Sequence, residues 1–158
     1  MVQRERIRQM MKEIGAQMDL GEVLEFDEGQ LWTLAVTEEI VVEVDYDEAF
    51  DKLVFSTHVG PVPEKARLMV YELVLQYNYS WETTGGGRIA LDGPGGDLIL
   101  IFDQPATDIE SSQLQTLVTN MSTQTGLWRE YLAQTGDDEP PPEGPAELWG
   151  MPLGAMRI

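Results

Sequence analysis

The sequence predicts an α+β domain, in the order α-β-β-β-α-β-β-α, with a twisted antiparallel sheet packed by helices. Three observations predict it. Apolar residues recur at helical spacing in three segments, about residues 2–18, 64–77 and 108–134. Alternating runs joined by short acidic separators fill residues 30–59, as in an antiparallel meander. A turn rich in glycine, Gly93-Pro94-Gly95-Gly96, joins two further apolar runs.

The first helix carries Ile7, Met10, Met11, Ile14 and Met18 with charges between them, and Gly21 closes it. Met10 and Met11 are adjacent, so the spacing puts them on different faces. Methionine suits a surface that takes varied apolar ligands, and it equally fills gaps in a core. The three strands of the meander are "QLWTLAV", "IVVEVDY" and "KLVFSTHV". Trp32, Leu34 and Val36 alternate with smaller or polar residues, Val42, Val44 and Tyr46 oppose Glu43 and Asp45, and Leu53, Phe55 and Val59 share a side.

Gly60-Pro61-Val62-Pro63 stops the meander, and the helix over about 64–77 follows. Its apolar residues go nearly all round the cylinder, so it needs cover on more than one side. In a chain this short, the expected second cover is another subunit. The short strand with Ile89 and Leu91 then meets "LILIF" (98–102) across the turn 92–97. A phosphate loop would need a strand, a glycine loop and then a helix. No helix is expected after Gly85-Gly86-Gly87 or after Gly93–Gly96, so these glycines turn the chain. The last helix starts near Asp108, with Thr107-x-x-Glu110 as a capping box, and Gly136 ends it. Residues 1–134 thus form the domain. Residues 135–158 form an acidic tail that holds five of the nine prolines, with an apolar end, "ELWGMPLGAMRI". A segment of that composition does not order by itself, so Leu148, Trp149, Met151, Leu153 and Met156 are expected to dock in an apolar groove, on this subunit or on a neighbour, with a mere packing contact as the alternative.

Ten Lys and Arg against 28 Asp and Glu give a net charge of −18. Such a surface repels phosphate backbones and argues against nucleic-acid binding. It favours solubility and basic partners alike. The absence of cysteine excludes disulfides and thiolate chemistry. No apolar run is long enough to span a membrane, and the charged N-terminus does not read as a secretory signal, so a cytoplasmic protein without membrane insertion is expected. No catalytic constellation emerges. His58 is the lone histidine and reads as an exposed or capped strand residue; no serine sits in a nucleophile elbow. The acidic run Glu43, Asp45, Asp47, Glu48 lacks the spacing of a calcium loop. Carboxylate pairs are expected by chance among so many acids. No cofactor, no metal and no enzymatic activity are expected.

The stretch "YELVLQYNYSWETTGGGRIALDGPGGDLIL", followed by "QLQTLVTNMSTQTGLWREYL", resembles the class I type III secretion chaperones, the Tir-chaperone (CesT-like) family. The residues that carry the resemblance are Leu73, Leu75, Asn78, Thr84, Gly85, Gly86, Ile89, Leu91, Asp92, Gly95, Gly96 and the pair Trp128-Arg129. The likeness extends over about residues 1–134; the tail departs from it. The resemblance implies a cytoplasmic homodimer that binds the N-terminal segment of a secreted effector in extended form. It also implies delivery to the secretion apparatus and its ATPase, without catalysis. By the same resemblance the effector surface comprises the first helix and the exposed face of the first three strands, with Met10, Met11, Leu34, Val36, Val42, Val44 and Phe55 as candidates. The all-round apolar helix and the "LILIF" strand suggest a dimer surface with Met69, Leu73, Tyr77, Leu98, Leu100 and Phe102. The competing class is a regulatory protein-binding module of the same fold, as in YbjN-like relatives.

Overall fold

The computed structural model describes residues 2–137, 144 and 146–149. Helix α1 (Val2–Gln17) leads into four strands, β1 (Glu22–Phe26), β2 (Leu31–Ala35), β3 (Val41–Asp47) and β4 (Lys52–Gly60). A 3-10 turn (Glu64–Ala66) opens helix α2 (Arg67–Tyr79), and a single-turn helix α3 (Trp81–Thr84) follows it. Strands β5 (Arg88–Leu91) and β6 (Leu98–Pro105) precede helix α4 (Ser111–Asp137). The six strands form one antiparallel sheet in the order β1-β2-β3-β4-β6-β5. The helices lie on one face: α4 crosses β3 and β4, α1 packs on β1 and α4, and α2 sits by β5.

The α+β class, the antiparallel sheet and the alternation of helices and strands agree with expectation. The strand count does not, because β1 precedes the meander. Its alternation reads backwards: Leu24 and Phe26 are exposed, and the inward side offers only half-buried Val23 beside Glu25. An edge strand with its apolar side outward gives no core-facing signal. Helix α4 also starts later and ends later than expected. Thr107 donates its hydroxyl to Asp51 instead of capping, while the Glu110 backbone N–H donates to Gln113 Oε1 at 2.9 Å. The box-like cap therefore falls three residues further on. Gly136 stays inside the helix, which exceeds the expected domain boundary by three residues.

One buried layer joins the sheet to the helices. Trp32, Leu34, Val42, Val44, Leu53 and Phe55 point into it from the strands, and Ile7, Met11, Ile14, Leu114, Met121 and Trp128 from the helices. Met10 and Met11 are both buried, because α1 is covered by the sheet on one side and by α4 on another. Two arginines pin the layer at its ends. Arg6 donates to the carbonyls of Ala106, Thr107 and Ile109. Arg129 donates to those of Glu39, His58 and Val59 at 2.7–3.1 Å, which ties α4 to the strands beneath it. Charge-assisted bonds of this kind are stronger than neutral ones and hold the helices in register.

The hairpin between β5 and β6 closes as expected of a turn. Asp92 N–H donates to the Asp97 carbonyl at 3.0 Å, and the Asp92 carboxylate accepts from Asp97 N–H at 2.8 Å. Gly85 ends α3 in the left-handed region (φ 70°), where a side chain is strained. These glycines shape the backbone.

Candidate functional site

Alternation along each strand sends one set of side chains under the helices and the other to a face that, among the described residues, no helix covers. By register, that bare face carries Leu24, Phe26, Leu31 and Thr33 at one end and Val54, Ile99, Ile101 and Ala90 at the other. Glu43 and Asp45 of β3 run between them. Leu24, Phe26 and Val41 are 41%, 45% and 43% exposed. A half-exposed apolar row beside a strip of carboxylates suits a chain that brings apolar side chains and positive charge.

The two edges of the sheet differ. At β5, Asn78 of α2 closes the backbone: its amide donates to the Ile89 carbonyl at 2.9 Å and accepts from Ile89 N–H at 2.8 Å. This amide occupies the groups that an added strand would use. At β1, among the described residues, the outer edge carries no strand beyond it, and Leu24 and Phe26 stand next to it on the bare face. A strand laid along β1 would gain backbone hydrogen bonds and apolar contact together.

A second apolar surface lies on α2. Leu68, Leu75 and Tyr79 fall on one stripe, opposite Val70, Leu73, Val74 and Tyr77, which face the core. Leu68 is 75% and Tyr79 86% exposed, and Trp81 of α3 adjoins the stripe in sequence.

The residues expected to contact an effector are elsewhere. Met10, Met11, Leu34, Val42, Val44 and Phe55 are buried in the core, and Val36 is half-buried against it. The expectation of an exposed face there is corrected: the apolar side of each strand is the side under α1 and α4. The expected dimer residues are corrected likewise. Leu73, Tyr77, Leu98, Leu100 and Phe102 are buried within the chain and Met69 is half-buried. The exposed residues that form these surfaces, Leu24, Phe26, Val41, Leu68, Leu75, Tyr79 and Trp81, were not among the expected contact residues. The signal was there in α2, where Leu68 and Leu75 are the apolar residues left over once one buried stripe is drawn.

The titrating groups speak of packing. Burial raises the hydroxyl pKa of Tyr77 and Tyr131, and burial together with the bond to Asp51 pushes Tyr46 up to about 12. The Asp51 carboxyl is held below its ordinary value by bonds from the hydroxyls of Thr107 and Tyr46. His58 is exposed on the bare face and bonded to Asp97 at 2.6 Å. Among the described residues, no group of three or more His, Cys, Asp or Glu could hold a metal ion, and no helix is long and apolar enough to cross a membrane.

Fold and surface define the class: a one-sided sheet-and-helix domain that offers a bare sheet face and an open edge. The chain belongs to the Tir chaperone protein (CesT) family, whose model matches residues 9–129. Within that span, Asn78 closes the β5 edge and Arg129 fastens α4. No curated protein matches the chain in sequence. Solved structures share the fold at low identity. A chain of the ExsC–ExsE complex has a TM-score of 0.68 at 15% identity, over 81% of this chain and 94% of that one. A chain of the HopA1–SchA chaperone–effector complex has a TM-score of 0.62 at 13% identity, over 78% and 92%. YbjN from E. coli has a TM-score of 0.57 at 17% identity, over 83% and 92%.

Proposed function

We propose that this protein is a cytoplasmic type III secretion chaperone that holds the N-terminal segment of an effector in extended form and delivers it to the secretion apparatus and its ATPase. The observation that carries the reading is the bare sheet face with Leu24 and Phe26 beside the open β1 edge, in a chain of the CesT family. A segment passing through a narrow channel must be unfolded. Strand addition plus apolar contact binds an unfolded segment without asking it to fold. The chaperone catalyses nothing and spends no ATP; binding alone keeps the segment extended. The effector named in the HopA1–SchA complex gives this assignment its precedent in the fold.

In the same reading the chain is a homodimer, and the exposed α2 stripe of Leu68, Leu75 and Tyr79 is the shared surface. A two-fold arrangement would bury each of these twice. The test is co-purification with the product of the adjacent reading frame, alongside sedimentation equilibrium. The wild-type chain should retain that product's N-terminal segment, and the double variant Leu24→Asp, Phe26→Asp should lose it. Retention unaffected by the variant would refute the site. Hydrogen exchange on the bound segment separates this reading from a regulatory module like YbjN: a chaperone holds it extended, a regulator binds a folded partner. A monomer at micromolar concentration would refute the dimer.

A further inference from the structure

The acidic C-terminal segment touches the body at one described place. Residues 146–148 form a 3-10 turn, and Leu148 is fully buried between α2 and α4. The Gln124 side chain donates to the Leu148 carbonyl at 3.2 Å. The Trp149 ring lies 6.2 Å from that of Tyr77, which meets Trp128 edge-on at 5.4 Å. Met151, Leu153 and Met156 lie outside the described residues.

The floor beneath this turn is poorly matched to it. Among the described residues, Trp128 Nε1 and the hydroxyl of Tyr131, whose ring meets that of Trp128 edge-on, are buried without a hydrogen-bond partner, and the Tyr77 hydroxyl has only the Gln124 side chain. A core settled for good satisfies such groups. A groove that exchanges occupants can leave them for a better-matched ligand, and each unpaired group weakens the resident. Access to the groove also hangs on one glycine. Gly144 has φ +65°, and a Cβ there would stand 3.0 Å from Leu73 Cδ2 and 3.1 Å from Leu148 Cδ1.

We propose that the α2–α4 groove floored by Leu73, Tyr77, Gln124 and Trp128 is a binding site for a short aliphatic–aromatic peptide segment, and that the turn at Ala146–Trp149 of this chain, entered from Gly144, is its releasable resident ligand. Tethering gives the resident a high effective concentration, so it holds the groove despite its imperfect fit. A partner segment that brings an aliphatic–aromatic pair and hydrogen-bonding groups for the floor displaces it. Leu73 and Tyr77 lie on the side of α2 opposite Leu68, Leu75 and Tyr79, and the bare sheet face is across the sheet. The site therefore stands or falls separately from the proposed effector and dimer surfaces.

The test uses the full chain and a fluorescent peptide spanning residues 143–150. In wild type the groove is filled, and the peptide should bind weakly. Gly144→Val should release the resident and tighten peptide binding at least tenfold, and a peptide carrying Leu148→Asp should not bind. A second arm places a protease site within residues 138–143. After cleavage the tail fragment should leave on dilution and exchange with labelled peptide, with the helical circular dichroism of the body retained. A cut fragment that stays bound until the body unfolds would show the turn to be fixed core and overturn the proposal. So would equal peptide binding by uncut wild type and variant, which would place the peptide elsewhere. If Gly144→Val fails to fold, the cleavage arm decides alone.

Discussion

The two faces of the sheet are made by the same strands and live in different solvents. Under the helices, Trp32, Leu34, Val44 and Phe55 are fully enclosed. On the other side, Leu24 and Phe26 keep nearly half their surface in water, with Glu43 and Asp45 across β2 on the same face. An apolar side chain belongs to the fold when this chain covers it. It is available to a partner when this chain does not. The difference teaches that apolar alternation finds a strand's core side reliably, whereas the binding side is written in the apolar residues that break the alternation.

The comparison breaks most visibly at its covered side. Phe55→Ala should cost about 3–5 kcal/mol through lost contact and a cavity, read as a lower urea midpoint. A change near zero would mean that the layer under the helices is not the core. On the bare side, Leu24→Asp and Phe26→Asp should each leave stability within about 0.5 kcal/mol. Each should cost about 1–3 kcal/mol of effector binding, from lost apolar burial, measured by isothermal titration. Unfolding by either variant would make the two faces equivalent.

The two edges sharpen the contrast further. Asn78→Ala removes both bonds to Ile89. It should cost about 1–2 kcal/mol and speed amide exchange at Ile89, leaving β1 exchange unchanged. Equal exchange at both edges in the wild type would contradict the closed-edge assignment.

The smallest effect is the pH dependence of the network that fastens the β3–β4 turn, where the Tyr46 hydroxyl donates to Asp51 at 2.9 Å. The Asp51 pKa is depressed in the fold. Its stabilisation is therefore present above the unfolded carboxyl pKa and is lost as pH falls through the lower folded value. Tyr46 is raised from 10.0 to about 12, so its contribution is present below pH 10 and is lost as pH rises toward 12. Tyr46→Phe should weaken the acid-side slope and abolish this tyrosine's alkaline one. Urea midpoints from pH 2 to 12 check both; slopes unchanged in the variant would dissociate the network from stability.

By itself the sequence determined the types of the long elements, though not β1 or the short α3, together with the antiparallel pairing, the turning role of the glycines and the family. These follow from periodicity, turn chemistry and local motifs, which need no knowledge of distant neighbours. Tertiary structure decided which apolar residues remain available. Met10 and Met11 are both enclosed because α4 lies over α1, and the expected effector and dimer residues vanish beneath helices distant in sequence. It also decided that Asn78 closes one edge, that Arg129 reaches the carbonyls of Glu39 and His58, and that Leu148 enters a groove between α2 and α4. Exposure is a property of what packs over a residue, and packing joins residues tens of positions apart, so no local pattern carries it.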